Sequence, residues 1–204
     1  MRFSKAISFC LFNDIPKYTV GMYANAKLAP EIYPDWQVVV YHDGTVPRPI
    51  MEELMDMGCV FIDRSEQDEA PMFSRFLIND IADRWIVRDT DCRLNLREKC
   101  AVDIWIESGK KWHVMRDDPA HVRPVQGAMW GGYLTGINME EEYAAFGGAD
   151  NGEWGADEDF LCDYLWPRME PETYVHDWQT NPIPYDRKEM RYVGQAFTER
   201  GEAL

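Results

Sequence analysis

The order of its apolar runs constrains this chain more than any other feature. Residues 5–12 form a short apolar run ended by Asn13-Asp14-Ile15-Pro16, and residues 18–28 then carry Val20, Met22, Tyr23 and Ala26 at helical spacing, ending before Pro30. The alternation continues with a strand-like run at 36–42, a short helix at 50–57 and a strand at 59–63. A polar loop over 64–71 leads into a helix at 72–81 and a fourth strand at 85–88. Asn95 is placed to cap the next helix, with Glu98 at its third position, Cys100, Ala101, Ile104 and Trp105 on its inner face and Gly109 as its stop. Residues 112–116 make a further strand. Strands separated by helical crossovers of this length predict an α/β fold with a parallel sheet. Beyond residue 117 the pattern loosens into glycine-rich turns around Trp130, a polar helix at 140–146 and a better one at 157–165.

A chain of 204 residues with 46% hydrophobic content can bury a full core as one domain. Its apolar runs fall far short of the roughly 20 residues that span a bilayer, and no basic-then-apolar leader opens it. A soluble, cytoplasmic protein is therefore expected, without membrane insertion. The formal charge of −15 repels phosphate backbones and anionic lipid, which argues against nucleic acid as a partner. The same charge requires that any small phosphate-bearing ligand be met by a local arginine cluster or a divalent cation. Five cysteines without a Cys-x-x-Cys pair speak against a disulfide framework and for a reducing compartment. Eight tryptophans suit either a core or a sugar site.

Ligands of parallel α/β folds collect beyond the carboxyl ends of the strands, here residues 13–14, 42–43, 89–91 and 116–118. Asp89 and Asp91 stand at i and i+2 directly after the fourth strand, where strand residues face the same way, so they converge on one site with backbones roughly 7 Å apart. One would then hold Mg²⁺ or Mn²⁺ directly and the other act through water or a ligand hydroxyl. The alternative is a plain turn, which aspartate favours. His176 suits either a nitrogen ligand to the same ion or a hydrogen-bonded loop histidine, and His113, in an apolar strand, reads as structural. Asp157-Glu158-Asp159 opens an apparent helix, where acids are stabilised by the dipole or act as a general base toward an acceptor hydroxyl.

Phe73, Ser74-Arg75-Phe76-Leu77, the run Arg88-Asp89-Thr90-Asp91-Cys92-Arg93, Arg97-Glu98, the stretch from His113 to His121 and Gly127-Ala128-Met129-Trp130-Gly131 stand in a familiar order. Tyr33-Pro34-Asp35-Trp36, Gly155 to Leu161, His176-Asp177 and Val193 to Phe197 extend it over nearly the whole chain. Together they resemble a family of GT-A-type glycosyltransferases that includes the amino-terminal domain of a large chlorella-virus glycosyltransferase and bacterial relatives. The resemblance implies a Rossmann-like, mostly parallel central sheet flanked by helices, in a single domain over 1–204. A nucleotide and metal half would span about 1–118 and a sugar and acceptor half about 119–204. It further implies a UDP- or GDP-linked sugar donor, Mn²⁺ or Mg²⁺, and transfer of a hexosyl or deoxyhexosyl group to a glycan or other hydroxyl, with inversion.

Carried over by position, Asp91 would bind the metal, Asp89 the ribose or a metal-bound water, and His176 would be a distant metal ligand. Asp157 would be the base, with Asp159 as second choice. Ser8, Phe9 and Asn13 would border the nucleotide, while Arg75, Arg116 and Asp117 would line the donor sugar or diphosphate. Ser74, Cys92, Ala128, Glu158 and Trp178 depart from the family's pattern, and none of these removes a metal ligand. Two rivals stand beside this expectation. One is a non-catalytic nucleotide- or carbohydrate-binding domain. The other is a phosphotransferase or phosphohydrolase using residues 43–45 or 89–91 as a nucleophile loop, against which Tyr41 stands where the nucleophilic aspartate should be, and Asp91 lacks a following glycine.

Overall fold

The computed structural model describes residues 2–66, 71–147, 155–184 and 191–204; residues 67–70 of the expected polar loop lie outside that description. One sheet carries seven strands in the order β3-β2-β1-β4-β6-β5-β7. The strands are β1 (Phe3–Cys10), β2 (Gln37–His42), β3 (Val60–Asp63), β4 (Ala82–Val87), β5 (Trp112–Arg116), β6 (Trp130–Tyr133) and β7 (Thr173–Asp177). All pairings are parallel except those of β6, which runs antiparallel to both β4 and β5. The carboxyl ends of the other six strands therefore share one edge of the sheet. The mostly parallel α/β expectation holds.

Alternation along β1 shows why it lies inside the sheet. Ala6, Ser8 and Cys10 face one layer and Ile7 and Phe9 the other, and all five are buried. On the Ile7 side pack α1 (Pro16–Ile32), α2 (Arg48–Asp56) and α4 (Leu96–Ser108), through Met22, Ala26, Ala29, Leu54, Val102 and Trp105. On the Ala6 side lie a 3₁₀ turn (Phe73–Leu77), α3 (Ile78–Ile81), α5 (Met139–Phe146) and a run of α6 (Ala156–Asp159), a π-helical stretch (Phe160–Leu165) and α7 (Trp166–Met169). Trp85, Trp112 and Trp130 meet within that second layer, with Trp85 and Trp130 centroids 4.8 Å apart. These indoles are core. Among the described residues no helix is long and apolar enough to cross a membrane.

Several boundaries correct the sequence reading. Helix α1 does not stop before Pro30 but runs to Ile32, because a proline in the last turn forfeits only its own bond. The Tyr33 N–H then closes the helix on the Ala29 carbonyl at 2.8 Å. The expected 72–81 helix is a 3₁₀ turn followed by one α turn, and the expected 157–165 helix winds as π from Phe160. Val102 rather than Cys100 or Ile104 completes the inner face of α4. Strand β6 went unread because Gly131 and Gly132 carry no β signal. They are glycines because a Cβ on either would stand 2.6 Å from the Trp85 carbonyl oxygen or indole. The Asn95 cap on the Glu98 N–H and the left-handed Gly109 stop are as expected.

Candidate active site

Strand β4 ends at Val87, and the Cys92 N–H donates to the Asp89 carbonyl at 3.2 Å, so residues 89–92 form a turn. Asp89 and Asp91 are thus not strand neighbours facing one way. They converge through the turn instead, and with Cys92 they offer three ligand atoms all within 4.8 Å of one another. Burial raises the Cys92 thiol well above its ordinary range, and Asp89 and Asp91 push it further, so it stays a protonated thiol that donates to the Gly194 carbonyl. The hard donors are the two carboxylates, which suit an oxygen-seeking divalent cation such as Mg²⁺ or Mn²⁺.

Arg75 joins this turn to α6. Its Nη1 donates to Asp89 and its Nη2 to Asp157 Oδ2 at 2.8 Å, and it is only 2% exposed. Ser8 holds the turn that carries Arg75, its hydroxyl donating to the Arg75 carbonyl at 2.6 Å. Gly127 makes room, since a Cβ there would lie 2.7 Å from Arg75 Nη2. The Gly127 N–H donates to Glu158 Oε1 at 3.0 Å, bringing a further carboxylate to the same point. Withdrawal from water raises the pKa of Asp89, Arg75 opposes this, and Asp91, Asp157 and Glu158 add to the rise.

Residues the sequence reading did not single out hold the turn in place. Helix α1 presents Lys17, Gly21 and Asn25, four residues apart and therefore in one row. A Cβ on Gly21 would stand 2.9 Å from the Thr90 carbonyl carbon and closer still to its oxygen. The Asn25 amide donates to the Thr90 and Cys92 carbonyls at 3.1 and 2.9 Å and accepts from the Leu94 N–H at 3.0 Å. Lys17 Nζ lies 2.6 Å from Asp91 Oδ2. Their signal was present: a glycine and an asparagine inside a helix, at the spacing of a lysine, are poor choices unless something approaches closely. From the other side Phe197 N–H donates to the Asp91 carbonyl at 2.9 Å.

The other expected residues are distributed unevenly. Asp157 is at the site and 6% exposed, whereas Asp159 is half exposed and paired with Arg123 at 2.7 Å. Asn13, left-handed at φ 60°, lies just past β1 with its N–H on Thr45 Oγ1. Phe9 has no exposed surface and packs under α1, so it supplies core rather than a ligand contact. Asp117 is 1% exposed and takes Arg97 Nε and Nη2 at 3.0 and 2.6 Å, with the Val193 N–H on the same carboxylate. Arg116 pairs with Asp177 at 3.2 Å. His176 is buried in β7 with its Nδ1 2.9 Å from His113 Nε2, and it does not join the group formed by Asp89, Asp91 and Cys92. Burial lowers the pKa of both imidazoles, His176 to about 4.

Beside the arginine, at the carboxyl ends of β1 and β2, a small pocket of about 50 Å³ is lined by Phe12, Tyr41, His42, Asp43, Arg64, Ser65, Pro71 and Ser74. Its lining residue Ser74 directly precedes Arg75 in the chain. His42 and Asp43 stood among the strand-end positions picked from sequence, but the pocket also needs Arg64 and Ser65 from the end of β3.

No protein-family profile and no curated protein matches this sequence. Solved structures do match. A glycosyltransferase involved in the glycosylation of the major capsid of PBCV-1 is 14% identical over 85% of this chain and 81% of its own, with a TM-score of 0.55. The mannosyltransferase PcManGT from Pyrobaculum calidifontis, in complex with GDP-Man and Mn²⁺, is 14% identical over 87% of this chain and 55% of its own, at 0.56. An active-site mutant of LgtC is 12% identical over 93% of this chain and 82% of its own, at 0.59. The likeness is one of architecture: with its seven-stranded, mostly parallel sheet flanked by helices, this chain has the fold of the GT-A glycosyltransferases.

Proposed function

We propose that this chain is a metal-dependent glycosyltransferase that moves a hexosyl or deoxyhexosyl group from a UDP- or GDP-linked donor to a glycan or other hydroxyl acceptor. The observation that carries this reading is the meeting of Asp89, Asp91, Arg75 and Asp157 at the carboxyl edge of a GT-A sheet. A cation on Asp91, with Arg75 offsetting the carboxylates beside it, answers the requirement that a chain of charge −15 places on a diphosphate ligand.

Asp91 would hold Mn²⁺ or Mg²⁺, with Asp89 beside it on the ribose or a metal-bound water. Such a cation supplies Lewis-acid charge that steadies the departing nucleoside diphosphate. The pocket between Phe12 and Ser74, too small for a whole nucleotide, would border its base together with Asn13. Asp157 faces the reacting carbon from α6 and accepts the proton of the attacking hydroxyl, while Arg75 fixes its orientation relative to Asp89. An oxocarbenium-like centre is favoured by the carboxylates gathered around it. The nucleotide and metal half, about 1–118, and the acceptor half, about 119–204, would thus meet at Arg75. Arg116 would border the donor side, with Asp159 as the reserve base; His176 would reach the ion only by leaving His113, and Asp117 stays with Arg97. All five cysteines are free thiols, which supports a reducing, cytoplasmic setting.

A second reading has one observation in its favour. Asp157 Oδ2 is already occupied by Arg75 and so is not open to an acceptor hydroxyl, as in a non-catalytic donor-binding domain. The test is release of nucleoside diphosphate from a panel of UDP- and GDP-sugars with Mn²⁺, with and without acceptor. Turnover that Asp91→Ala abolishes is expected. Full turnover by Asp91→Ala would remove the metal assignment, and a product that keeps the donor's anomeric configuration would remove the base role of Asp157. Tight donor binding with neither transfer nor slow hydrolysis would favour the second reading.

A further inference from the structure

Lys17 is not a casual surface lysine. It shares one row of α1 with Gly21 and Asn25, and those two fix the phase of the helix against residues 90–94 by close approach and by three hydrogen bonds. With the helix so docked, its Nζ is brought to 2.6 Å from Asp91 Oδ2, the carboxylate expected to take the divalent cation. The Lys17 side chain is 30% exposed and that of Asp91 12%, so the pair lies on the open side of the turn.

Two cations thus face three carboxylates. Arg75 sits on Asp89 and is itself pinned by Asp157, with a side chain only 3% exposed, so it stays where it is. Lys17 has one carboxylate partner among the described residues and a flexible four-carbon stem. A divalent cation on Asp91 repels the ammonium beside it, and among the described residues Asp91 is its one ion-pair partner. A nucleoside diphosphate arriving with that cation brings anionic oxygens to the same place.

We propose that Lys17 is a ligand of the donor's diphosphate: it serves as counter-ion to Asp91 until a divalent cation takes that carboxylate, and then transfers to a phosphate oxygen. This rests on the glycosyltransferase reading of the site. It also makes a prediction of opposite sign for two ligands, which a merely structural lysine would not produce.

The experiment compares wild type, Lys17→Met and Lys17→Arg, each confirmed folded by its thermal transition. Mn²⁺ is titrated first alone, followed by the paramagnetic signal of the free ion, and then UDP and GDP are titrated at saturating Mn²⁺. Lys17→Met should bind Mn²⁺ alone several-fold more tightly, because the competing charge is gone. It should bind the preferred nucleoside diphosphate about 10-fold or more weakly, the size of a lost charge-assisted hydrogen bond. Lys17→Arg should recover most of the nucleotide affinity. Unchanged affinities, or a parallel loss of both, would overturn the proposal and leave the reading of the site standing. Failure of wild type to bind either nucleotide with Mn²⁺ would take down both.

Discussion

Gly21→Ala offers a test in which the sign of the effect decides. In a helix interior that faces water, replacing glycine by alanine stabilises by about 1 kcal/mol, because the unfolded chain loses freedom and the helix gains a good former. Gly21 is buried against the aspartate turn, and a methyl there would come within 2.9 Å of the Thr90 carbonyl carbon, nearer still to its oxygen, and 3.1 Å from an Arg93 guanidinium nitrogen. The first obstacle is backbone, which cannot swing aside as a side chain would. Overpacking of this kind costs about 1–3 kcal/mol, and moving the Thr90 carbonyl also strains the Asn25 hydrogen bond, worth about 1 kcal/mol. After the helix-propensity gain, a net loss of about 2 kcal/mol remains. For a chain of this size each kcal/mol shifts Tm by about 2–4 °C, so the transition should fall by about 4–8 °C. Thermal and urea unfolding followed by circular dichroism would read it, alongside weaker Mn²⁺ binding as the turn is displaced. A rise of Tm by a few degrees, with unchanged metal affinity, would refute the claim that α1 docks on this turn through Gly21.

Arg75→Met should leave Asp89 and Asp157 facing one another without their shared cation and lower stability by about 3 kcal/mol, with Arg75→Met/Asp157→Asn recovering part of the loss in urea unfolding; a single variant as stable as wild type would contradict the bridging role. His113 and His176 have folded-state pKa values below the ordinary 6.5, so between the two values the unfolded chain binds more protons. Their contribution to stability is therefore complete above about pH 6.5 and is lost as pH falls below it, for His176 down to about 4. Imidazole NMR signals that stay neutral at pH 5.5 agree with this, and rings titrating near 6.5 do not. Cys10, pushed up to about 12 by burial, and Cys92 should resist alkylation at pH 7.5 until the chain unfolds; rapid native-state labelling of either would place them at the surface.

What the sequence made legible follows the strength of each local signal. Strands β1, β2 and β5 are apolar runs bounded by turn formers, and the α4 cap and stop are explicit in Asn95, Glu98 and Gly109. Strand β6 was hidden because its middle residues are glycines chosen by the bulk of Trp85, a tertiary demand without local trace. The π-helical winding from Phe160 is likewise set by packing among Phe73, Tyr143 and Phe160. At the site, the aspartates were visible as an acidic pair after a strand, although the geometry that unites them is a turn rather than a pleat. Arg75 was visible only by resemblance, and its double pairing depends on a residue 82 positions away. Lys17 precedes the expected 18–28 helix and carries no signal of its own; the Gly21 and Asn25 contacts show which face of α1 is turned inward.

The measurement closest to the central claim is the thermal stability of chelator-treated protein against nucleoside diphosphates and nucleotide-sugars, each with and without Mn²⁺. A ligand above its dissociation constant stabilises the folded chain, by about 2.7 kcal/mol at 100 times Kd, and so raises the midpoint. The account predicts a rise selective for UDP or GDP that requires Mn²⁺ and disappears in Asp91→Ala. An unchanged midpoint with every nucleotide, or a rise indifferent to Mn²⁺ and to Asp91, would contradict it.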